Sequence, residues 1–109
     1  MTDESSDEVV EITTTLPNQL EAEKLADSLI ENRLAACVQV SSPIVSVYRW
    51  DDRVQREQEF SLKIKTAESV RDRAIAFLKA NHPYELPEIL FQVVQSTSEY
   101  REWVVKQTL

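Results

Sequence analysis

Residues 58–65 read Gln-Glu-Phe-Ser-Leu-Lys-Ile-Lys. Phe60, Leu62 and Ile64 alternate with Ser61, Lys63 and Lys65, which is the period of a strand with one face buried and one wet. Upstream, Ile44 to Trp50 (IVSVYRW) is rich in β-branched and aromatic residues, and Asp51, Asp52 and Arg53 supply a turn between the two runs. The pair predicts a long hairpin between Ile44 and Lys65. Before it, Ala36 to Val40 (ACVQV) is a further apolar stretch, and Ser41-Ser42-Pro43 interrupts it. That interruption predicts either one strand with a break or two strands with a bend.

Outward from the hairpin, strands and helices alternate. Val9 to Leu16 (VVEITTTL) reads as a strand that Pro17 and Asn18 end. Asn18 with Glu21 resembles a capping box, and Ala22, Leu25, Ala26, Leu29 and Ile30 fall on one face of a helix over 19–32. Thr66 is placed to cap a second helix with an apolar stripe of Val70, Ala74, Phe77 and Leu78, running to about Asn81. The segment His82-Pro83-Tyr84-Glu85-Leu86-Pro87 stops it, because two prolines cannot continue a helix. Glu88 to Val94 (EILFQVV) predicts a mostly buried strand. Ser96 with Glu99 forms a second capping box before a short helix whose apolar face is Tyr100, Trp103 and Val104. The order β-α-β-β-α-β plus a C-terminal helix predicts an α+β, ferredoxin-like fold. Such a sheet carries helices on one face. Apolar residues left on the other face, and on a hairpin bearing Val47, Tyr48 and Trp50, call for a partner such as a second copy of the chain.

At 109 residues the length predicts a single domain over 8–109, preceded by an acidic, polar and disordered segment over 1–7. The start of the chain has neither the basic residues nor the apolar run of a secretory leader, and no apolar stretch reaches the ~20 residues of a membrane span. Cytoplasmic residence and no membrane partner are expected. A formal charge of −7 argues against nucleic acid as a partner. The chain has no glycine, so every phosphate-cradling glycine motif and the hydrolase nucleophile elbow are excluded. One cysteine rules out an internal disulfide, and one histidine leaves no ready Ser-His-Asp or Cys-His set. No enzymatic activity and no required cofactor are expected.

The candidate functional residues each have a plain structural role beside the chemical one. His82 is a possible transition-metal ligand near Glu85 and Glu88, or else a cap on the last carbonyls of the preceding helix. Cys37 is a soft-metal ligand for Cu(I), or a buried inert thiol. Glu57, Glu59, Glu85, Glu88 and Lys65 can line a small-molecule or cation pocket at a subunit boundary, or form a solvated face of ion pairs. Tyr48, Trp50, Tyr84 and Trp103 are expected as core and interface anchors, with ligand stacking as the alternative.

Several stretches together resemble a known family. Leu34-Ala35-Ala36-Cys37-Val38, Tyr48-Arg49-Trp50, the acidic Glu57 and Glu59, Lys65-Thr66, the run His82-Pro83-Tyr84-Glu85-Leu86-Pro87-Glu88-Ile89, and Tyr100 with Trp103 are similar, in order and spacing over residues 9 to 107, to the CutA divalent-cation tolerance proteins. The resemblance implies a ferredoxin-like fold, a tight homotrimer and an association with copper and heavy-metal tolerance. It also implies clefts between subunits lined by Tyr84, Glu85, Lys65 and Trp50. Copper-binding members are expected to use a first-strand cysteine and two adjacent histidines before the signature proline. The matching positions here are Thr14, Asn81 and His82, so one of those three ligands is present. The glycine expected after the aromatic pair is replaced around Asp51 and Asp52. A regulatory module resembling the trimeric PII signalling proteins, with a small effector in the same clefts, is the second functional expectation.

Overall fold

The computed structural model describes residues 7–108. The strands are β1 (Val9–Leu16), β2 (Cys37–Val40), β3 (Ile44–Trp50), β4 (Arg53–Ala67) and β5 (Leu90–Val94). The helices are α1 (Gln19–Glu31), α2 (Arg71–Asn81) and α3 (Ser98–Gln107). All pairings are antiparallel. The sheet runs β2-β4-β1-β5, and β3 pairs with the outer half of β4. Because β2 and β3 lie end to end along one edge of β4, the arrangement is β-α-β-β-α-β with an extra C-terminal helix.

The break expected at Ser41-Ser42-Pro43 is a bend. Val40 sits opposite Leu62 and Ile44 opposite Glu59, so three residues on one side face two on the other. That single extra residue is the count of a β-bulge, and Pro43, with no N–H to donate, is suited to it. The bend is pinned by Ser41, whose N–H donates to the Ser61 carbonyl (2.9 Å) and whose Oγ accepts from the Ser61 N–H (2.8 Å).

The core lies where the alternation of β4 meets the helices. Ile12, Leu16, Leu62 and Ile64 are fully buried with Leu29 of α1 and Leu78 of α2. Asn18 caps α1 as the sequence predicts, its Oδ1 accepting from the Glu21 N–H at 2.9 Å. Ile30, placed on the apolar stripe by its spacing, is 43% exposed at the end of that helix. The helix closes through Leu34 N–H to Leu29 O (2.9 Å) and Arg33 N–H to Ile30 O (3.1 Å), with Arg33 at φ 56°. This is a Schellman closure with arginine at the left-handed position glycine usually takes. The hairpin turn shows the same substitution. Asp51 and Asp52 both hold positive φ (52° and 60°) between the paired Trp50 and Arg53, as a two-residue I′ turn requires.

Several expectations are corrected. Thr66 caps no helix. It lies fully buried inside β4, with Oγ1 donating to the Leu34 carbonyl at 2.8 Å. The chain then passes through a 3₁₀ turn, Glu68–Val70, and Asp7 accepts hydrogen bonds there from the Ser69 N–H (3.0 Å) and Oγ (2.9 Å). Asp7 is thus tied to the fold, while residues 1–6 of the expected tail lie outside the described residues. The cap of α3 is Thr97, not Ser96. Its Oγ1 accepts from the Tyr100 N–H at 3.2 Å, and Val104 is fully buried while Tyr100 and Trp103 stay partly exposed. β5 is shorter than expected and not buried, with Leu90 61% exposed. Among the described residues no strand pairs with its outer edge, and Phe91 and Val93 are also more than half exposed.

Arg33→Gly is expected to raise the urea-unfolding free energy by about 0.5–1 kcal/mol, since glycine takes the left-handed conformation without the Cβ clash. Leu62→Ala is expected to lower it by about 2–5 kcal/mol, the range for a large side chain removed from a packed core.

Candidate functional site

A cleft of about 730 Å³ runs along β3 from Ser46 to Trp50, between the hairpin and the 84–88 segment. The bend at Ser41-Ser42-Pro43 turns β3 so that Ser46, Tyr48 and Trp50, two residues apart along the strand, line one wall. Thr15 from the end of β1 and Glu59 from β4 form the floor. Tyr84, Glu85, Leu86, Pro87 and Glu88 form the opposite wall. The two prolines keep this wall out of regular structure, so its side chains are set by hydrogen bonds instead.

One such bond joins this wall to the floor. Tyr84 Oη donates to Glu59 Oε2 at 2.7 Å. Glu59 is only 7% exposed. Burial pushes its carboxyl upward, but side-chain hydrogen bonds from Ser46, Tyr84 and Thr15, with the nearby His82, bring it below the ordinary carboxylate value. It therefore stays ionised near neutrality. Burial, and then the Glu59 carboxylate, push the Tyr84 phenol well above its ordinary value, so it remains a donor.

His82 anchors the other end of the same segment. Its Nδ1 accepts from the Tyr84 backbone N–H (3.1 Å), and its Nε2 lies 3.0 Å from Thr14 Oγ1. The first contact requires a bare Nδ1, so the proton sits on Nε2 and is donated to Thr14. Both ring nitrogens are thus engaged. His82 stands one residue past α2 but caps no carbonyl. That role falls to Asn81, whose Nδ2 donates to the Phe77 carbonyl at 2.9 Å. Burial holds the imidazole below its ordinary pKa of 6.5, against the opposing influence of the Thr15 backbone and the carboxylates of Glu21 and Glu59.

Of the residues singled out in the sequence, the cleft brings together Trp50, Glu59, Tyr84, Glu85 and Glu88. Glu57 stands outside its lining, near enough to act on the Tyr84 phenol. Lys65 is elsewhere on the sheet, donating to Gln39 Oε1 (3.0 Å) and pairing with Glu11 (3.9 Å). Cys37 is a free, half-buried thiol on β2 opposite Lys65, close enough to Tyr100 to bear on its phenol. It does not join His82. Among the described residues, no group of three or more His, Cys, Asp or Glu side chains is arranged to hold a metal ion. Thr14 and His82, two of the positions where the resemblance implies copper ligands, are hydrogen-bonded to each other. The residues present therefore do not fit a preformed copper site. Ser46 and Thr15 were missed in the sequence. Their only signal is a polar residue within an apolar run, which many strands share.

This architecture defines a class: a small ferredoxin-like protein with an overlong hairpin and an acidic, aromatic cleft alongside it. The chain belongs to the CutA1 divalent ion tolerance protein family, whose model matches residues 10–107. It is 37% identical over 95 residues to the divalent-cation tolerance protein CutA of Thermus thermophilus, covering 86% of this chain and 92% of that protein. It is 40% identical to the chloroplastic protein CutA 1 of Oryza sativa over 86% of this chain, and spans about half the length of that relative (54%). The crystal structure of CutA1 from Oryza sativa superposes with a TM-score of 0.89 at 37% identity, covering 94% of each chain. The family match supports the tolerance-protein reading and not the PII-like alternative.

Because the chain has a single histidine, NMR titration reads His82 directly. Its midpoint is expected below 6.5. The folded state favours the neutral ring, so its contribution to stability is present above pH 6.5 and is lost as pH falls through 6.5 to the lower folded-state value. His82→Gln should flatten stability against pH across that window.

Proposed function

We propose that this chain is a non-catalytic divalent-cation tolerance protein that acts as a homotrimer in the cytoplasm. The observation that carries the assembly is the apolar surface left bare on one chain. Val45, Val47 and Val54 on the hairpin are 63%, 53% and 66% exposed, and Leu90, Phe91 and Val93 on β5 are each more than half exposed. A surface this apolar on a soluble monomer marks an interface. The two patches lie on different elements, one on the projecting ribbon and one on the outer strand. A head-to-tail closed ring suits that separation, because each copy offers one patch and receives the other.

The tolerance role rests on the names of the relatives and on charge. A trimer carries three times the formal −7 of one chain, which raises the local concentration of divalent cations. The cleft adds Glu59, Glu85 and Glu88 to that field and is the cation-binding place in this reading. Copper at His82 or Cys37 has less support, since His82 has no free ring nitrogen and Cys37 stands apart from it. The non-catalytic reading is supported by the engagement of both ring nitrogens of the one histidine, which leaves the imidazole no free nitrogen to activate a nucleophile. The free thiol of Cys37 suits a reducing compartment. Among the described residues, no helix is long and apolar enough to cross a membrane.

Light scattering at micromolar concentration is expected to give three times the 12.6 kDa of one chain. Val47→Asp should move the mass toward that of a single chain. A wild-type mass of one chain under the same conditions contradicts the trimer.

A further inference from the structure

We infer that His82 is a proton-operated latch: while neutral it ties the backbone of the 83–88 segment to β1, and on protonation it releases that tie. The inference goes beyond the tolerance reading and gives the wall that carries Glu85 and Glu88 a response to acid.

The segment depends on side chains for its place. Pro83 and Pro87 have no N–H to donate, and among the described residues 83–88 make no backbone–backbone hydrogen bond. Two contacts hold the segment instead. One is the Tyr84 phenol on Glu59, at 2.7 Å. The other is the Tyr84 N–H, which donates to His82 Nδ1 at 3.1 Å while His82 Nε2 reaches Thr14 Oγ1 at 3.0 Å. Both contacts lie within one chain, so neither needs a particular arrangement of neighbouring copies. A side-chain acceptor that takes the N–H two residues on makes the turn that asparagine makes in an Asx-turn. Here the acceptor is an imidazole nitrogen, which, unlike an amide oxygen, can take up a proton near neutrality.

That proton removes the acceptor. In imidazolium both ring nitrogens are donors, so an Nδ1–H would face the Tyr84 N–H. The ring itself has reason to stay. Its Nε2–H keeps the bond to Thr14 in both states, and the carboxylates of Glu21 on α1 and Glu59 on β4 favour the charged form. Beyond these, β1 presents the Thr15 backbone and the segment presents the Tyr84 ring, 5.1 Å from the imidazole. Lys24 on α1 lines a groove with Glu21, Asn81 and Pro83 and puts a cation on that side. The Tyr84 amide is therefore the part that moves, and the Tyr84–Glu59 bond alone then holds the wall. The coupling is reciprocal: an N–H bonded to the neutral ring disfavours its protonation and adds to the burial that holds the ring below 6.5. The latch is closed above pH 6.5 and opens as pH falls through the lower folded-state value.

The test is a pH titration of the full chain by NMR that follows the His82 ring, its tautomer through the ring nitrogen shifts, and the Tyr84 amide in one sample. Above the His82 midpoint the ring is expected as the Nε2–H tautomer, with the Tyr84 amide protected from exchange. Through the midpoint the protection factor of that amide, corrected for the intrinsic pH dependence of exchange, should fall about tenfold, the scale of one lost hydrogen bond. That of Ile64 in the core should stay constant. His82→Asn puts an amide oxygen near the place of Nδ1 and should keep the Tyr84 amide protected across the whole range. His82→Ala should leave it unprotected throughout. A Tyr84 amide that does not follow the His82 midpoint would overturn the inference. So would a neutral ring protonated on Nδ1, or loss of protection in His82→Asn at the same pH as in the wild type. If the variants fail to fold, as judged by circular dichroism, the wild-type tautomer and amide titration decide.

Discussion

A single strand, β4, carries three ladders, and the rest of the structure is built around that fact. Its inner half, up to Ala67, is paired on both edges, with β1 on one side and β2 on the other. Its outer half, from Arg53, is paired only with β3. Fifteen residues of strand span roughly 50 Å, close to the 54 Å long axis of the molecule, so the outer half must project past the core. The inner half is paid for by burial against α1 and α2. The outer half is a two-stranded ribbon, which is marginal in water unless something covers it.

The cleft follows from the same geometry. Where β4 changes neighbours from β2 to β3, one extra residue bends the chain at Ser41-Ser42-Pro43. The bend swings Ser46, Tyr48 and Trp50 over the 84–88 segment. Two hydrogen-bonded joints hold that segment: Tyr84 to Glu59, and His82 between Thr14 and the Tyr84 backbone. A histidine with both nitrogens committed acts as a structural strut. Glu59 is a nearly buried carboxylate that three hydroxyl groups keep charged.

How far the fold was legible depended on whether burial imposes a pattern. Phe60, Leu62 and Ile64 alternate because one face of β4 meets the helices, so the inner strand could be read. Residues 53–57 (RVQRE) carry no such alternation because nothing among the described residues covers them, so the strand reads as starting too late. Thr66 and Ser96 were misplaced because hydroxyl residues near a helix start are ambiguous by one position or more, and packing of Val104 and pairing of β4 decide the register. β5 was expected to be buried because its residues are apolar; they are, but nothing among the described residues covers them. At the site, Trp50, Tyr84, Glu59, Glu85 and Glu88 were legible as residue types worth attention. Their meeting, the exclusion of Lys65 and the Thr14–His82 bond were not, since each depends on a contact between residues far apart in sequence.

The central claim is that the projecting ribbon is covered in the native assembly. Amide hydrogen exchange resolved along the chain tests it most directly. If neighbouring copies cover the hairpin, backbone amides of residues 44–58 should be protected to a degree comparable with those of residues 62–66 in the core. Exchange in 44–58 faster by orders of magnitude, as for an unsupported two-stranded ribbon, would contradict the account.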